Sequence, residues 1–184
     1  EVTMTPYAHP ILPLLVDSSL ALQAAAKLAL PTRFMYGQDA VMHLKKGVEL
    51  YTAHFGQAPR GMWPAEGSVA QEIVGIVANG GIQWMASDEG VLAKSLGKPA
   101  FNRSSAEIVA DADDMYRPYY VTSGDKPPVL MVFRDVVISD KVGFTYSGTP
   151  GKAAAQDFMN RVRNIGKRLD EEGKPGPHLV TVIL

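Results

Sequence analysis

The chain has 184 residues, a formal net charge of −1 and an apolar fraction of 46%, which is typical of a globular protein with one sizeable core. This near-neutral balance gives no reason to expect nucleic acid or an anionic membrane as a partner. Cysteine is absent, which excludes disulfides and thiolate metal sites. No apolar run reaches the ~20 residues of a membrane span, and no signal peptide opens the chain. We therefore expect one domain, residues 1–184, in the cytoplasm.

Both ends of the chain predict that it is a piece of a longer protein. It begins without Met and stops within a strand-like apolar run, residues 179–184. The backbone groups of a core strand need neighbours on both sides. We therefore expect a fragment whose exposed sheet edges allow self-association.

The first third of the chain predicts one strand and two helices. Residues 1–5 form a short strand, and closely spaced prolines then force a loop. A cap at Ser18 or Ser19 starts an alanine-rich helix that runs towards Leu30. A second helix starts at Asp39 and ends at Gly56. Its predicted buried stripe recurs at steps of three and four residues: Val41, Leu44, Val48, Tyr51 and Phe55.

The middle of the chain predicts a strand, a helix and a second strand. Residues 60–63 are extended because Trp63 precedes proline, and Ser68 with Gln71 matches a capping box. The apolar face of the helix that follows comprises Val69, Ile73, Ile76 and Val77. Residues 82–86 then form a buried strand that places Ser87, Asp88 and Glu89 at its end.

The last part of the chain predicts an excursion, a core strand, a long helix and a final strand. Residues 97–128 are less periodic and form the excursion, and residues 129–133 form the core strand. The long helix has Pro150 at its first position, ends at Gly173, and buries a stripe of Ala155, Phe158, Val162, Ile165 and Leu169. Residues 178–184 form the final strand.

This alternation of apolar strands and helices predicts an α/β fold with a parallel sheet covered by helices. An open doubly wound sheet and a barrel segment both fit the pattern. In either fold, reactive groups gather at the carboxyl ends of the strands. Four strand ends carry polar side chains: Thr5 with the loop to His9, Trp63 to Glu66, Ser87 to Glu89, and Arg134 with Asp135.

The Trp63–Glu66 segment is the candidate for sugar chemistry. A tryptophan ring stacks on a pyranose face, while a carboxylate attacks or stabilises an oxocarbenium-like centre. Glu66 lies between glycines, which permit close backbone approach, although it also fits an acid that stabilises a helix N-terminus. Trp63 also fits the core.

The other candidate residues have structural readings of their own. His9 lies in the proline loop and is the histidine expected to contact substrate. Asp88 fits either a ligand contact or a helix start. Arg134 and Asp135 also fit an ion pair that holds a loop.

The spacing of the histidines bears on the alternative of a metal-dependent enzyme. A metal-dependent deacetylase also carries Asp and His at strand ends, but such sites use closely spaced histidines. The four histidines lack that spacing, and His43 and His54 are expected to be solvated on their helix. No phosphate-binding glycine loop or hydrolase serine elbow is present. We therefore expect no metal and no cofactor.

Four ordered motifs resemble glycoside hydrolase family 57, most closely its alpha-amylase and amylopullulanase type. They are residues 5–15 (TPYAHPILPLL), 61–69 (GMWPAEGSV), 87–89 (SDE) and 133–146 (FRDVVISDKVGFTY). The resemblance implies a segment of an incomplete parallel (β/α)7 barrel and a retaining mechanism on alpha-glucans without a metal. It implies that Glu66 is the nucleophile, and that His9, Trp63, Asp88, Arg134 and Asp135 lie near the substrate.

Two departures from the family pattern limit what the resemblance implies. The opening His-Gln-Pro-Tyr type motif has no counterpart here. The general acid/base belongs to an Asp-Gly-Glu-Asn type motif that would follow Leu184, so we expect the isolated chain to be inactive. A 4-alpha-glucanotransferase, a branching enzyme and a non-catalytic carbohydrate-binding piece remain alternatives.

Overall fold

The computed structural model describes residues 2–184, which form two compact units. Of the described residues, the first unit comprises 2–87 and 119–131, and the second comprises 88–118 and 132–184. The boundary along the chain therefore falls inside two strands. The prediction of one domain stays a prediction, and Glu1 of the predicted first strand lies outside the described residues.

The helices before the first strand differ from the predicted ones. A short helix α1, Leu12–Val16, forms in the loop, since proline is tolerated in a first helical turn. The predicted alanine-rich helix reduces to a 3-10 turn, Ser18–Leu20, and α2, Ala21–Ala24. Its cap is the Asp17 carboxylate, not a serine. No residue of α2 is buried, and a helix without tertiary packing is marginal in water.

Helix α3, Gly37–Phe55, ends before Gly56 as predicted, but it starts two residues before the predicted Asp39, and its N-cap is Tyr36. Its predicted stripe is only partly correct, because Val41 and Phe55 are exposed. The buried face consists of Ala40, Leu44, Gly47 and Tyr51. A Cβ atom at Gly47 would lie 2.6 Å from the Met4 side chain and 3.1 Å from the Thr5 carbonyl. The N-terminal segment thus packs against Gly47. Hydrophobic periodicity does not predict this contact, because glycine has no apolar side chain.

A mostly parallel sheet has the strand order β1-β2-β4-β3, and most of its residues belong to the first unit. Its strands are β1, Gly61–Met62; β2, Trp84–Asp88; β3, Tyr119–Val121; and β4, Val129–Arg134. β1 pairs with β2 in parallel, and β3 pairs with β4 antiparallel. The predicted first strand contributes a single parallel bridge, Met4 to Met62.

Helix α4, Gln71–Asn79, joins β1 to β2. It buries Ile73, Val74 and Val77. The predicted capping box is wrong, because the cap position is Ala70 and no side chain caps the helix. The Gln71 side chain donates instead to the Thr122 carbonyl, at 2.8 Å.

The second unit contains four helices: α5, Glu89–Ser95; α6, Ala112–Tyr116; α7, Val136–Gly143; and α8, Gly151–Glu172. The long helix α8 ends before Gly173 as predicted, but it starts at Gly151, so Pro150 is its N-cap and not its first residue. Its buried residues are Ala154 and Ile165, whereas the predicted Ala155 is exposed. The predicted last strand contributes only one parallel bridge, Thr181 to Arg134. Over residues 2–184, no helix is long and apolar enough to cross a membrane.

Asp113 in α6 gives the second unit an acid-sensitive contact. His178 Nε2 donates to Asp113 Oδ1 at 2.8 Å, and Arg117 bonds the same oxygen. The hydrogen bond from His178, assisted by that from Arg117, holds the pKa of Asp113 below its ordinary value of 3.8. A carboxyl group whose folded pKa is lowered contributes stability above its unfolded pKa, and this is lost as the pH falls through the folded pKa.

We expect the free energy of unfolding to fall below about pH 4 with a steeper slope in the wild type than in Asp113→Asn. The reason is that the variant has no carboxylate to protonate at this position. Urea titrations at a series of pH values measure the slope. Asp125→Asn, at a carboxylate that is 89% exposed, is the control and should keep the wild-type slope; equal slopes in all three proteins would contradict the assignment.

Candidate active site

Glu66 lies in a one-turn 3-10 segment, Ala65–Gly67, between β1 and α4. Its backbone is left-handed, with φ 56° and ψ 21°, and Gly67 follows at φ 65°. A left-handed conformation costs a non-glycine residue about 1–3 kcal/mol, and it persists only where the surroundings impose it. The Glu66 side chain is 71% exposed. The turn therefore presents a carboxylate to solvent from a strained backbone position.

Two contacts within the first unit hold this turn. The buried Ser87 hydroxyl donates to the Gly67 carbonyl at 2.6 Å. The half-buried Trp63 ring lies against Gly67, since a Cβ atom there would be 2.9 Å from Trp63 Cη2. Upstream, the Trp63 amide donates to the Met4 carbonyl at 2.8 Å. The strand end, the ring and the serine together fix the position of the Glu66 backbone.

The structure brings His9 and Glu66 together. Ala8 and His9 are both left-handed, with φ 59° and 55°, and the His9 amide donates to the Pro6 carbonyl at 2.8 Å. His9 Nε2 lies 3.4 Å from Glu66 Oε1. His9 Nδ1 lies 2.7 Å from the Thr5 hydroxyl. A hydroxyl, an imidazole and a carboxylate thus form a chain of three groups on the first unit.

Helix α3 holds the loop that carries His9. The Tyr7 amide donates to the His43 carbonyl at 3.0 Å, and His43 Nδ1 donates to the Tyr7 carbonyl at 2.6 Å. The expectation that His43 is merely solvated is therefore wrong. An open cavity of about 630 Å³ lies between the loop and the helix. Its lining is largely apolar and comprises residues 4–9 with Gly47, Leu50, Tyr51, His54 and Phe55.

The other predicted site residues lie in the second unit. Arg134 Nε donates to Asp88 Oδ2 at 2.8 Å, and the second Asp88 oxygen accepts from the Gly90 amide, also at 2.8 Å. Asp88 is thus the N-terminal cap of α5, as its structural reading proposed. Its side chain is 37% exposed and that of Arg134 is 26% exposed, so both polar heads reach solvent.

Asp135 is the most buried carboxylate among the predicted site residues, at 1% exposure. Oδ1 accepts from the Ile138 amide at 3.1 Å and caps α7, while Oδ2 accepts from the Tyr116 hydroxyl at 2.6 Å. Arg103 donates to both oxygens at 3.3 Å and also pairs with Glu89. Burial, followed by the nearby Asp135 carboxylate, raises the pKa of Tyr116 well above its usual range. The tyrosine therefore stays protonated and donates.

Sequence reasoning missed three of these partners. Ser87 follows a predicted strand, but its bond to Gly67 joins residues twenty positions apart. Arg103 lies in the irregular excursion, where no periodicity marks it. Thr5 was placed at a strand end without a role. Across residues 2–184, no group of three or more His, Cys, Asp or Glu side chains is arranged to hold a metal ion.

Gly67→Ala should destabilise the protein by at least about 1–2 kcal/mol, because the new Cβ is strained at positive φ and meets the Trp63 ring. Gly37→Ala is the matched control in the same unit, since nothing lies within 4 Å of its Cβ position. It should be neutral or stabilising by up to about 1 kcal/mol. Urea unfolding measures both, and equal effects would contradict the packing of Trp63 on Gly67.

Tyr116→Phe should lower the free energy of unfolding by about 1–3 kcal/mol, because it removes a donor from a buried carboxylate. Tyr120→Phe removes the same hydroxyl from a side chain that is 73% exposed and should change stability by less than about 0.5 kcal/mol. Chemical denaturation compares the two variants. A neutral Tyr116→Phe would show that Arg103 and the Ile138 amide satisfy Asp135 without the tyrosine.

Solved structures that resemble the chain include two glucan-active enzymes. An alpha-amylase from Thermotoga maritima matches with a TM-score of 0.50 and 21% identity over 77% of this chain and 21% of its own. A 4-alpha-glucanotransferase from Thermococcus litoralis matches with a TM-score of 0.52 and 16% identity, over 88% of this chain and 19% of its own. The chain thus spans about a fifth of either protein. At these identities the likeness concerns the fold, and it confirms the predicted α/β barrel segment.

No curated protein sequence matches the chain. The family model described as glycosyl hydrolase family 57 matches residues 1–182. That match covers nearly the whole chain, including the predicted strand ends and the turn that carries Glu66. The chain therefore belongs to glycosyl hydrolase family 57.

Proposed function

We propose that this chain is part of a retaining glycoside hydrolase that cleaves alpha-glucans through a glycosyl-enzyme intermediate on Glu66. One observation carries the proposal: the Glu66 carboxylate is exposed, on a strained left-handed residue, and faces His9. Backbone strain of this kind clusters at active sites. Membership of family 57 supports glycoside hydrolase chemistry.

The reaction has two displacements. A Glu66 oxygen attacks the anomeric carbon, the bond from that carbon to the glycosidic oxygen breaks, and a general acid protonates the leaving oxygen. Water then attacks the anomeric carbon, gives a proton to the same group, and releases Glu66. A retaining enzyme needs its second carboxyl group roughly 5 Å from the first. The prediction that this group follows Leu184 is part of the proposal.

The remaining site residues have proposed roles that follow from their chemistry. Trp63 offers a half-buried ring against Gly67, the residue after Glu66, which suits stacking against a sugar face. His9 Nε2 lies close enough to interact with the nucleophile or a sugar hydroxyl. Asp88 and Arg134 keep partly exposed polar heads that suit sugar hydroxyls. Asp135 has its oxygens engaged by protein donors, so its proposed contribution is to hold Arg103 and the end of β4.

The substrate class rests on the similar solved structures, which are named as an alpha-amylase and a 4-alpha-glucanotransferase. Both activities share a glycosyl-enzyme and differ in whether water or a sugar hydroxyl receives the glycosyl group. The transferase is therefore the second candidate function, and the glucanotransferase likeness favours it. The product profile of the full-length protein on maltooligosaccharides distinguishes the two.

Trapping of the intermediate tests the role of Glu66. The full-length protein that contains this chain should be labelled at Glu66 by a fluorinated alpha-glucosyl inactivator, as read by mass spectrometry of the peptide. Glu66→Gln should lower kcat by a factor of about 10^4 or more, because the nucleophile is lost. Glu72→Gln removes an exposed carboxylate from the first turn of α4 and should leave kcat unchanged. Labelling at another residue would overturn the assignment.

A further inference from the structure

The Thr5 hydroxyl contacts the ring of His9, a residue of the candidate site. Thr5 Oγ1 lies 2.7 Å from His9 Nδ1, a distance typical of a strong hydrogen bond. The other ring nitrogen, Nε2, lies 3.4 Å from Glu66 Oε1. One ring nitrogen therefore lies at hydrogen-bond distance from a hydroxyl, and the other at ion-pair distance from a carboxylate.

These two neighbours differ in what they can do. An ionised carboxylate only accepts hydrogen bonds, whereas a threonine hydroxyl donates or accepts. A neutral imidazole carries one N–H, and the hydrogen bond at one nitrogen determines which nitrogen is protonated. If Nδ1 carried the proton, the Nε2 lone pair would face the oxygen lone pairs of Glu66. If Nε2 carries the proton, it points a donor at Glu66.

We propose that Thr5 is a positioning residue: its hydroxyl donates to His9 Nδ1 and thereby holds the neutral ring in the tautomer that directs Nε2–H towards Glu66. The left-handed backbone of Ala8 and His9 brings the ring back over Thr5, four residues earlier in the chain. The ring is thus oriented by a side chain of its own loop. The inference deepens the role proposed for Glu66, and its first test does not depend on that role.

The carboxylate gains from this arrangement at each displacement. An N–H donor beside Glu66 orients the carboxylate for attack on the anomeric carbon, and it stabilises the carboxylate that leaves when the intermediate is hydrolysed. A ring free to flip or to change tautomer would present a lone pair for part of the time. Thr5 would therefore affect the reaction without touching substrate.

Nitrogen NMR on the 184-residue chain, labelled with 15N-histidine, tests the tautomer directly. The chain contains only four histidines, and the His9 signals are identified by their loss in His9→Asn. At about pH 8.5, where free imidazole is neutral, wild-type His9 should be protonated at Nε2 with Nδ1 accepting a hydrogen bond. A proton on Nδ1 in the wild type would overturn the proposal without any variant.

Three variants separate positioning from a structural role. Thr5→Val keeps the branched shape but has no hydroxyl, and should give a mixture of both His9 tautomers. Thr5→Ser keeps a hydroxyl and should restore the wild-type spectrum. Thr52→Val removes a hydroxyl that donates to the Val48 carbonyl within α3 and should leave the His9 signals unchanged. Identical His9 spectra in Thr5→Val and the wild type would sink the idea.

In the full-length protein, Thr5→Val should lower kcat/KM by about ten-fold, and Thr5→Ser should recover most of that loss. If Thr5→Val changes the His9 tautomer but not the activity, Thr5 does position His9. The proposed effect of that positioning on Glu66 would then be overturned. Covalent labelling at a residue other than Glu66 would instead overturn the proposed nucleophile and leave the tautomer result intact. The two proposals can therefore fail separately.

Discussion

The left-handed pair Glu66 and Gly67 is the constraint on which the candidate site depends. A left-handed backbone is unfavourable for glutamate, so the surrounding contacts must hold Glu66 at its positive φ. The hydroxyl of Ser87 fixes the Gly67 carbonyl, and the Trp63 ring occupies the space that a Gly67 side chain would need. The same turn that strains the backbone leaves the Glu66 carboxylate exposed and facing His9.

A second organising interaction lies in the other unit, around Asp135. A buried carboxylate is costly unless it is paired and hydrogen-bonded, and here an amide, a tyrosine hydroxyl and a guanidinium supply the donors. Arg103 also binds Glu89, so one arginine connects the start of α5 to the start of α7. Charge pairing thereby holds the helix starts that follow β2 and β4. The polar groups of Asp88 and Arg134 remain partly exposed.

Elements with their own start, stop and periodic signals could be predicted from the sequence. Helix α8 has a proline before its first turn and a glycine after its last, so its end was predicted correctly and its start to within one residue. The buried face of α3 was predicted only in part, because Leu44 and Tyr51 are buried as expected but the N-terminal segment also packs on Gly47, which carries no side chain. The Ser68 cap failed because the chain makes a separate turn before α4 begins.

The sequence by itself determined the family, the alternation of strands and helices, and the short list of polar residues at strand ends, because those follow from residue types at fixed local spacings. Only the tertiary structure decided which of these residues meet. His9 and Glu66 are 57 positions apart in the printed sequence, and no local pattern encodes the distance between their side chains. Their contact follows from two left-handed turns, each held by hydrogen bonds and packing that local spacing does not reveal.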